Sequence, residues 1–140
     1  MSDTSSITTE EPYGVETNLV KKTIVVKERE TNDEFEFRIP TIADEVALGT
    51  RIRRLRRAID PQDDGTGELD RDTMAYLRAM AYFEILHVSS SVDWVLTKLP
   101  DGKLIVDSLS FPPEKTNTVL FVAMSLYGQV QRFRFGGLAN

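Results

Sequence analysis

The chain has 140 residues, of which 41% are apolar and 28% charged, with a net charge of −5 and no cysteine. That length fits one domain, and the cysteine count excludes disulfides, thiol catalysis and cysteine-ligated metals. The longest apolar run, Val119 to Met124, is far short of the ~20 residues that span a bilayer, and the first residues lack the basic and apolar parts of a signal peptide, so a cytosolic protein is expected.

Residues 1–18 mix Ser, Thr, Glu and Pro with few large apolar groups, and Asp3, Glu10, Glu11 and Glu16 stand there without a Lys or Arg. Such a segment cannot bury enough surface to offset the entropy of ordering, and it reads as a disordered acidic tail. The remainder is close to neutral, which argues against a nucleic-acid binder driven by counterion release. Residues 19–137 then form a single α+β domain, and 138–140 a C-terminal tail.

Lys22 to Arg29, with Ile24, Val25 and Val26, and Glu34 to Ile39, where Phe35, Phe37 and Ile39 alternate with Glu36 and Arg38, flank the break Glu30-Thr31-Asn32-Asp33, the pattern of a β-hairpin with one buried face. Pro40 ends the second strand, and Thr41 with Asp44 gives a capping signature that opens a helix. Its stripe is Leu48, Ile52, Leu55 and Ile59, all on one face. Asp60-Pro61 stops it, and an Asp/Gly-rich loop follows. A second helix starts at Asp70 or Asp72 and runs to about His87; Met74, Leu77, Met80, Ala81, Phe83, Ile85 and Leu86 cover nearly its whole surface, so it is the expected central helix. Ser89-Ser90-Ser91 breaks it.

From Val92 to Ser110 two readings stay open. Leu99-Pro100-Asp101-Gly102-Lys103 is a turn, with Pro presetting φ and Gly supplying a positive φ. Trp94, Leu96, Leu104 and Val106 can make a second short hairpin around residues 92–107; alternatively, Lys103 to Leu109 is a short helix. Pro112-Pro113-Glu114 opens the last helix, and Gly136-Gly137 closes it. The expected fold is α+β, an N-terminal β-hairpin packed against three main helices.

No constellation carries obvious chemistry, and the reading is a protein that is not an enzyme and needs no cofactor or metal. The loop from Asp60 to Arg71 has Gly65 in the sixth place of a calcium loop, but Arg71 stands where a bidentate Glu is required and Gln62 occupies the third place. His87 is the only histidine, placed where an imidazolium can meet the C-terminal carbonyls of the second helix. Its use as a general base for Ser89 or Ser90 would need an orienting acid and an oxyanion hole, neither of which the sequence signals. Arg51, Arg53, Arg54, Arg56 and Arg57 surround the stripe of the first helix. They either pair locally or with a neighbouring copy, or meet an acidic protein partner; a nucleic-acid role lacks base-stacking aromatics beside them.

The last helix carries more apolar residues than one stripe needs. Val119, Val122, Leu126, Val130 and Phe133 form one line, and Leu120, Met124 and Tyr127 a second that either closes the same core or is left for another chain. Trp94 is either a core or rim anchor or a contact hot spot. Three such side chains would give a gross gain of roughly 5–9 kcal/mol on burial, against about 4–15 for association, so tight binding requires many copies on one partner.

Phe37-Arg38-Ile39-Pro40-Thr41 entering an Arg-rich helix, an apolar second helix, the solitary Trp94, and a last helix with Leu126-Tyr127 leading to Phe133-Arg134-Phe135-Gly136-Gly137 together resemble the tail assembly chaperones of long-tailed bacteriophages. The likeness spans most of residues 34–137. It implies a non-enzymatic protein of the infected host cytoplasm, absent from the mature virion. Such a protein coats the tape measure protein, helps recruit tail tube protein subunits and is then displaced, working as a homo-oligomer or as multiple copies on one partner, with no nucleic acid or membrane bound. On that reading Leu120, Met124, Tyr127 and Trp94 form apolar contacts, and Arg53, Arg54 and Arg57 supply polar register. The alternative is a structural virion protein, a head–tail connector or tail completion subunit.

Overall fold

The computed structural model describes residues 14–63 and 67–133. Four antiparallel strands form one sheet in the order β1 (Val15–Asn18), β2 (Thr23–Lys27), β3 (Glu34–Arg38), β4 (His87–Ser90). Between β3 and β4 the chain makes two helices, α1 (Ile42–Ile59) and α2 (Arg71–Leu86); after β4 come a small hairpin, β5 (Leu96–Lys98) with β6 (Leu104–Val106), and the last helix, α3 (Thr116–Gln131). The class is α+β, as the sequence implies, with a larger sheet than a single hairpin.

The register explains the sheet's two faces. Val15, Val26 and Phe35 stand in one row and Thr17, Ile24 and Phe37 in another, all buried, while Glu16, Val25, Glu36 and Ser89 line up on the opposite side. That is the period-2 alternation of a sheet with one covered face. Helix α3 covers β1 and β2, α2 covers β3 and β4, and α1 packs on α2.

Two strands correct the sequence reading. Residues 15–18, assigned to the disordered tail, form β1; residues 1–13, and the predicted C-terminal tail at 138–140, lie outside the described residues. Gly14 makes the entry possible: its φ is +84°, its carbonyl accepts from Lys27 N–H at 2.7 Å, and a Cβ there would stand 2.7 Å from the Lys27 carbonyl oxygen. The Ser89-Ser90-Ser91 break is the strand β4 and its exit. Ser89 Oγ donates to Glu36 Oε1 at 3.0 Å, Ser91 N–H donates to the Glu34 carbonyl at 2.9 Å, and Glu34 N–H returns a bond to Ser91 Oγ at 2.9 Å. Pairing with β3 overrides the weak strand propensity of serine.

The helix signals act as read. Thr41 and Asp44 form a reciprocal capping box, and Asp44 also receives Arg38, whose Nη2 lies 2.7 Å from Asp44 Oδ1 and 3.1 Å from the Ile85 carbonyl. One arginine thus ties the end of β3 to the start of α1 and the end of α2. Leu48, Ile52 and Leu55 are buried, but Ile59, predicted in the same stripe, is 70% exposed. It is the last residue of α1, where the chain turns into extended backbone at Asp60 and no neighbouring element covers it. Asp70 caps α2 by accepting from Thr73 N–H at 2.8 Å. Helix α2 is central, touching α1, α3, β3 and β4.

Of the two readings of residues 92–110, the hairpin is the one observed, followed by a single 3₁₀ turn at Ser108–Ser110. Gly102 has φ +90° and donates to the Leu99 carbonyl at 2.8 Å, closing the Leu99–Lys103 turn. A 3₁₀ turn at Pro113–Lys115 leads into α3, and Gly136-Gly137 lie outside the described residues.

Candidate partner-binding surfaces

Helix α3 buries Val119, Val122, Ala123, Leu126 and Val130 in the core, so the first predicted line lies inside, with Phe133 packed at its edge. The second line is divided. Met124 and Tyr127 are half-buried against the core, Tyr127 lying 6.3 Å from the ring of buried Tyr82, whereas Leu120 is 37% exposed. Beside Leu120 opens a groove of about 240 Å³ lined by Met80, Phe111, Pro112 and Val119, with Ser108 and Thr116 at its margin.

Trp94 sits with the core rather than on a free surface. Its ring meets Phe35 at 6.0 Å and Phe111 at 5.5 Å, both edge to face, and Lys115 Nζ lies 5.9 Å from its centroid. Its Nε1 is buried and has no hydrogen-bond partner among the described residues.

The five arginines of α1 separate into two groups. Arg51 Nη1 lies 2.7 Å from Oε1 of the fully buried Glu84 side chain, and Arg54 lies 3.7 Å from the same carboxylate and 3.5 Å from Asp107. Glu84 also accepts from the Ser108 hydroxyl and, at 2.8 Å, from its N–H, so one buried carboxylate fastens α1 and α2 to the segment leading into α3. Arg56, 8% exposed, makes a bidentate pair with Asp63 at 3.0 Å and donates to the Gly67 carbonyl at 3.0 Å. Arg53 and Arg57 are exposed and make no ion pair among the described residues; Arg53 reaches only its neighbour Thr50 Oγ1, at 3.5 Å. Of the predicted contact arginines, Arg54 is therefore held by its own chain, and Arg53 and Arg57 face solvent.

The same bonds weaken a calcium reading of the 60–71 loop. Asp63 is taken by Arg56, Asp60 Oδ1 accepts from Gln62 N–H at 3.1 Å, and Asp70 caps α2. Residues 64–66 lie outside the described residues, and no cluster of three metal-ligating side chains occurs among the rest.

A cleft of about 550 Å³ lies between β4 and the β5–β6 hairpin, with Arg51, Glu84, His87, Ser89 and Ser90 among its lining and the exposed Val88, Leu96 and Leu104 around it. His87 Nε2 approaches Ser90 Oγ to 3.3 Å, but the Ser90 hydroxyl donates its one hydrogen to the Val92 carbonyl at 2.9 Å. The Ser90 hydrogen is thus directed away from the imidazole, and the contact is not the serine-to-base hydrogen bond that a general base needs. His87 stacks on Phe83, with ring planes 4° apart, and burial pushes its pKa below the ordinary histidine value. Burial therefore works against the imidazolium that the helix end would otherwise favour, because desolvation penalises the charged form.

The sequence reading missed Ile42 and Val46, 84% and 74% exposed on α1. A signal existed, since the helical period turns both away from the Leu48/Ile52 stripe. Comparison with protein-family models, curated proteins and solved structures finds no match to this chain.

Proposed function

We propose that this protein is a non-enzymatic assembly chaperone for long-tailed phage tails, which holds the tape measure protein, helps recruit tail tube subunits and is then displaced. The observation that supports the reading is the groove beside Leu120, an apolar recess on a helix whose other large side chains are already engaged. A recess of that size takes one or two apolar side chains of a partner. Such a contact is weak alone and becomes strong when many copies share one long polypeptide, the arrangement that coating a tape measure requires. Nothing in the His87–Ser90 geometry favours a reaction, and Glu84 is fully engaged in structural bonds.

Co-expression of the full chain with the tape measure protein of the same genome tests the reading. Rescue of tape measure solubility with co-purification is expected, and Leu120→Asp should abolish both while leaving the fold intact. No rescue would overturn the proposal. Mass spectrometry of purified virions should find the protein absent; its presence would favour a connector or completion subunit.

A further inference from the structure

We propose that the outer face of α1 is a second docking surface, which receives an amphipathic helix of another polypeptide whose N-terminal turns are acidic. At 3.6 residues per turn, Ile42, Val46, Gly49, Arg53 and Arg57 fall within about 80° of arc, a straight face about 22 Å long. All five are exposed, and Ile42 and Val46 are the most exposed large apolar residues among those described. Ala43 and Ala47 flank them, and nothing lies within 4 Å of a Cβ built on Gly49, so a second helix can approach closely.

The charge pattern specifies the occupant. The first half of this face is apolar: Asp44 lies on the far side of the helix, held by Arg38 and Thr41, and Glu45, to one side, accepts from the Tyr82 hydroxyl at 2.8 Å. The second half ends in Arg53 and Arg57, without carboxylates among the described residues, although Arg51, Arg54 and Arg56 on the same helix each have one. Water satisfies both guanidiniums in the free chain, and they are the charges that a partner's carboxylates can meet. A second copy suits them poorly: antiparallel α1 helices would set Arg53 and Arg57 against Ile42 and Val46, with the first-turn carboxylates Asp44 and Glu45 bonded to Arg38 and Tyr82 of their own chain, and parallel ones would set arginine against arginine. An antiparallel heterologous helix with Glu or Asp in its first turns and apolar residues beyond meets both halves, and its acidic turns also suit its own dipole.

The test uses a labelled synthetic helix of about 18 residues, matched to the ~27 Å length of α1. Glu occupies its first two turns and Leu and Ala one face thereafter, and in its counterpart Lys replaces Glu. Fluorescence anisotropy with the full chain should show binding of the Glu peptide that falls as salt rises, and none of the Lys peptide. The double variant Arg53→Glu/Arg57→Glu should weaken the Glu peptide about tenfold or more and admit the Lys peptide, and Ile42→Asp/Val46→Asp should weaken the Glu peptide comparably. Leu120→Asp should leave this binding unchanged, which separates it from the α3 groove. Absence of Glu-peptide binding, equal affinity for both peptides, or indifference to the α1 variants would overturn the proposal. A wild-type dimer in sedimentation that Ile42→Asp/Val46→Asp converts to monomer would overturn it too, assigning the face to a second copy.

Discussion

Helix α3 contains the longest apolar run of the chain, yet of its large apolar residues only Leu120 is exposed, whereas α1, far richer in charge, presents Ile42 and Val46 to solvent. The difference follows from position. Helix α3 lies across β1 and β2 with α2 beside it, so covering surfaces meet it on several sides; α1 rests on α2 and has one covered stripe. Hydrophobicity therefore tells how strongly a helix seeks burial, but the number of its neighbours tells what remains for a partner.

The largest effect is expected at Leu126. Leu126→Ala removes a fully buried side chain and should cost about 2–5 kcal/mol in urea unfolding, while Leu120→Ala on the same helix should cost less than about 1. Equal losses would mean that α3 has no spare surface. Glu84→Ala comes next. It leaves Arg51 and Arg54 without their buried carboxylate and frees the Ser108 N–H, and should lower stability by about 2–4 kcal/mol, with faster hydrogen exchange over residues 107–111. A loss below about 0.5 kcal/mol would show that α1 is docked by its Leu48/Ile52/Leu55 stripe alone.

The smallest effect is the pH slope. Because burial depresses the pKa of His87, the unfolded chain binds more protons than the folded one between the folded value and about 6.5. Stability should be full above pH 7 and fall on acidification through that window, by less than about 1.4 kcal/mol per pH unit. In His87→Phe, with no other histidine in the chain, the slope between pH 7 and 5 should vanish. Asp44, held low by the Arg38 guanidinium, and Glu28, held low by the Thr31 and Glu30 amides, lose their contributions at more acid pH, from the ordinary carboxylate value down through their lowered ones. A slope unchanged in His87→Phe would assign the effect to other groups.

Much of the fold was legible because its signals are local. The alternation in Phe35-Glu36-Phe37, the Thr41/Asp44 box and the Pro100–Gly102 turn each specify backbone conformation within a few residues. Strands β1 and β4 were not legible, since Val-Glu-Thr-Asn and His-Val-Ser-Ser contain no pattern of strand length and become strands only through ladders formed with β2 and β3. Among the contact residues, Arg53 and Arg57 proved exposed, but Arg54, Trp94, Met124 and Tyr127 proved engaged within the chain. The partners of those four lie distant in sequence, beyond the reach of any local pattern.

The α+β class, the three helices, the N-terminal hairpin and the Leu99–Lys103 turn could be read from the residues alone, because periodicity, caps and turn residues act over short range; whether that turn joined two strands could not. The four strands of the sheet, the burial that lowers the pKa of His87, and the exposure of Ile42, Val46, Leu120, Arg53 and Arg57 emerge only once distant elements pack. Burial, desolvation and ion pairing depend on which distant elements meet, and that meeting is settled when α2 and α3 close over the sheet.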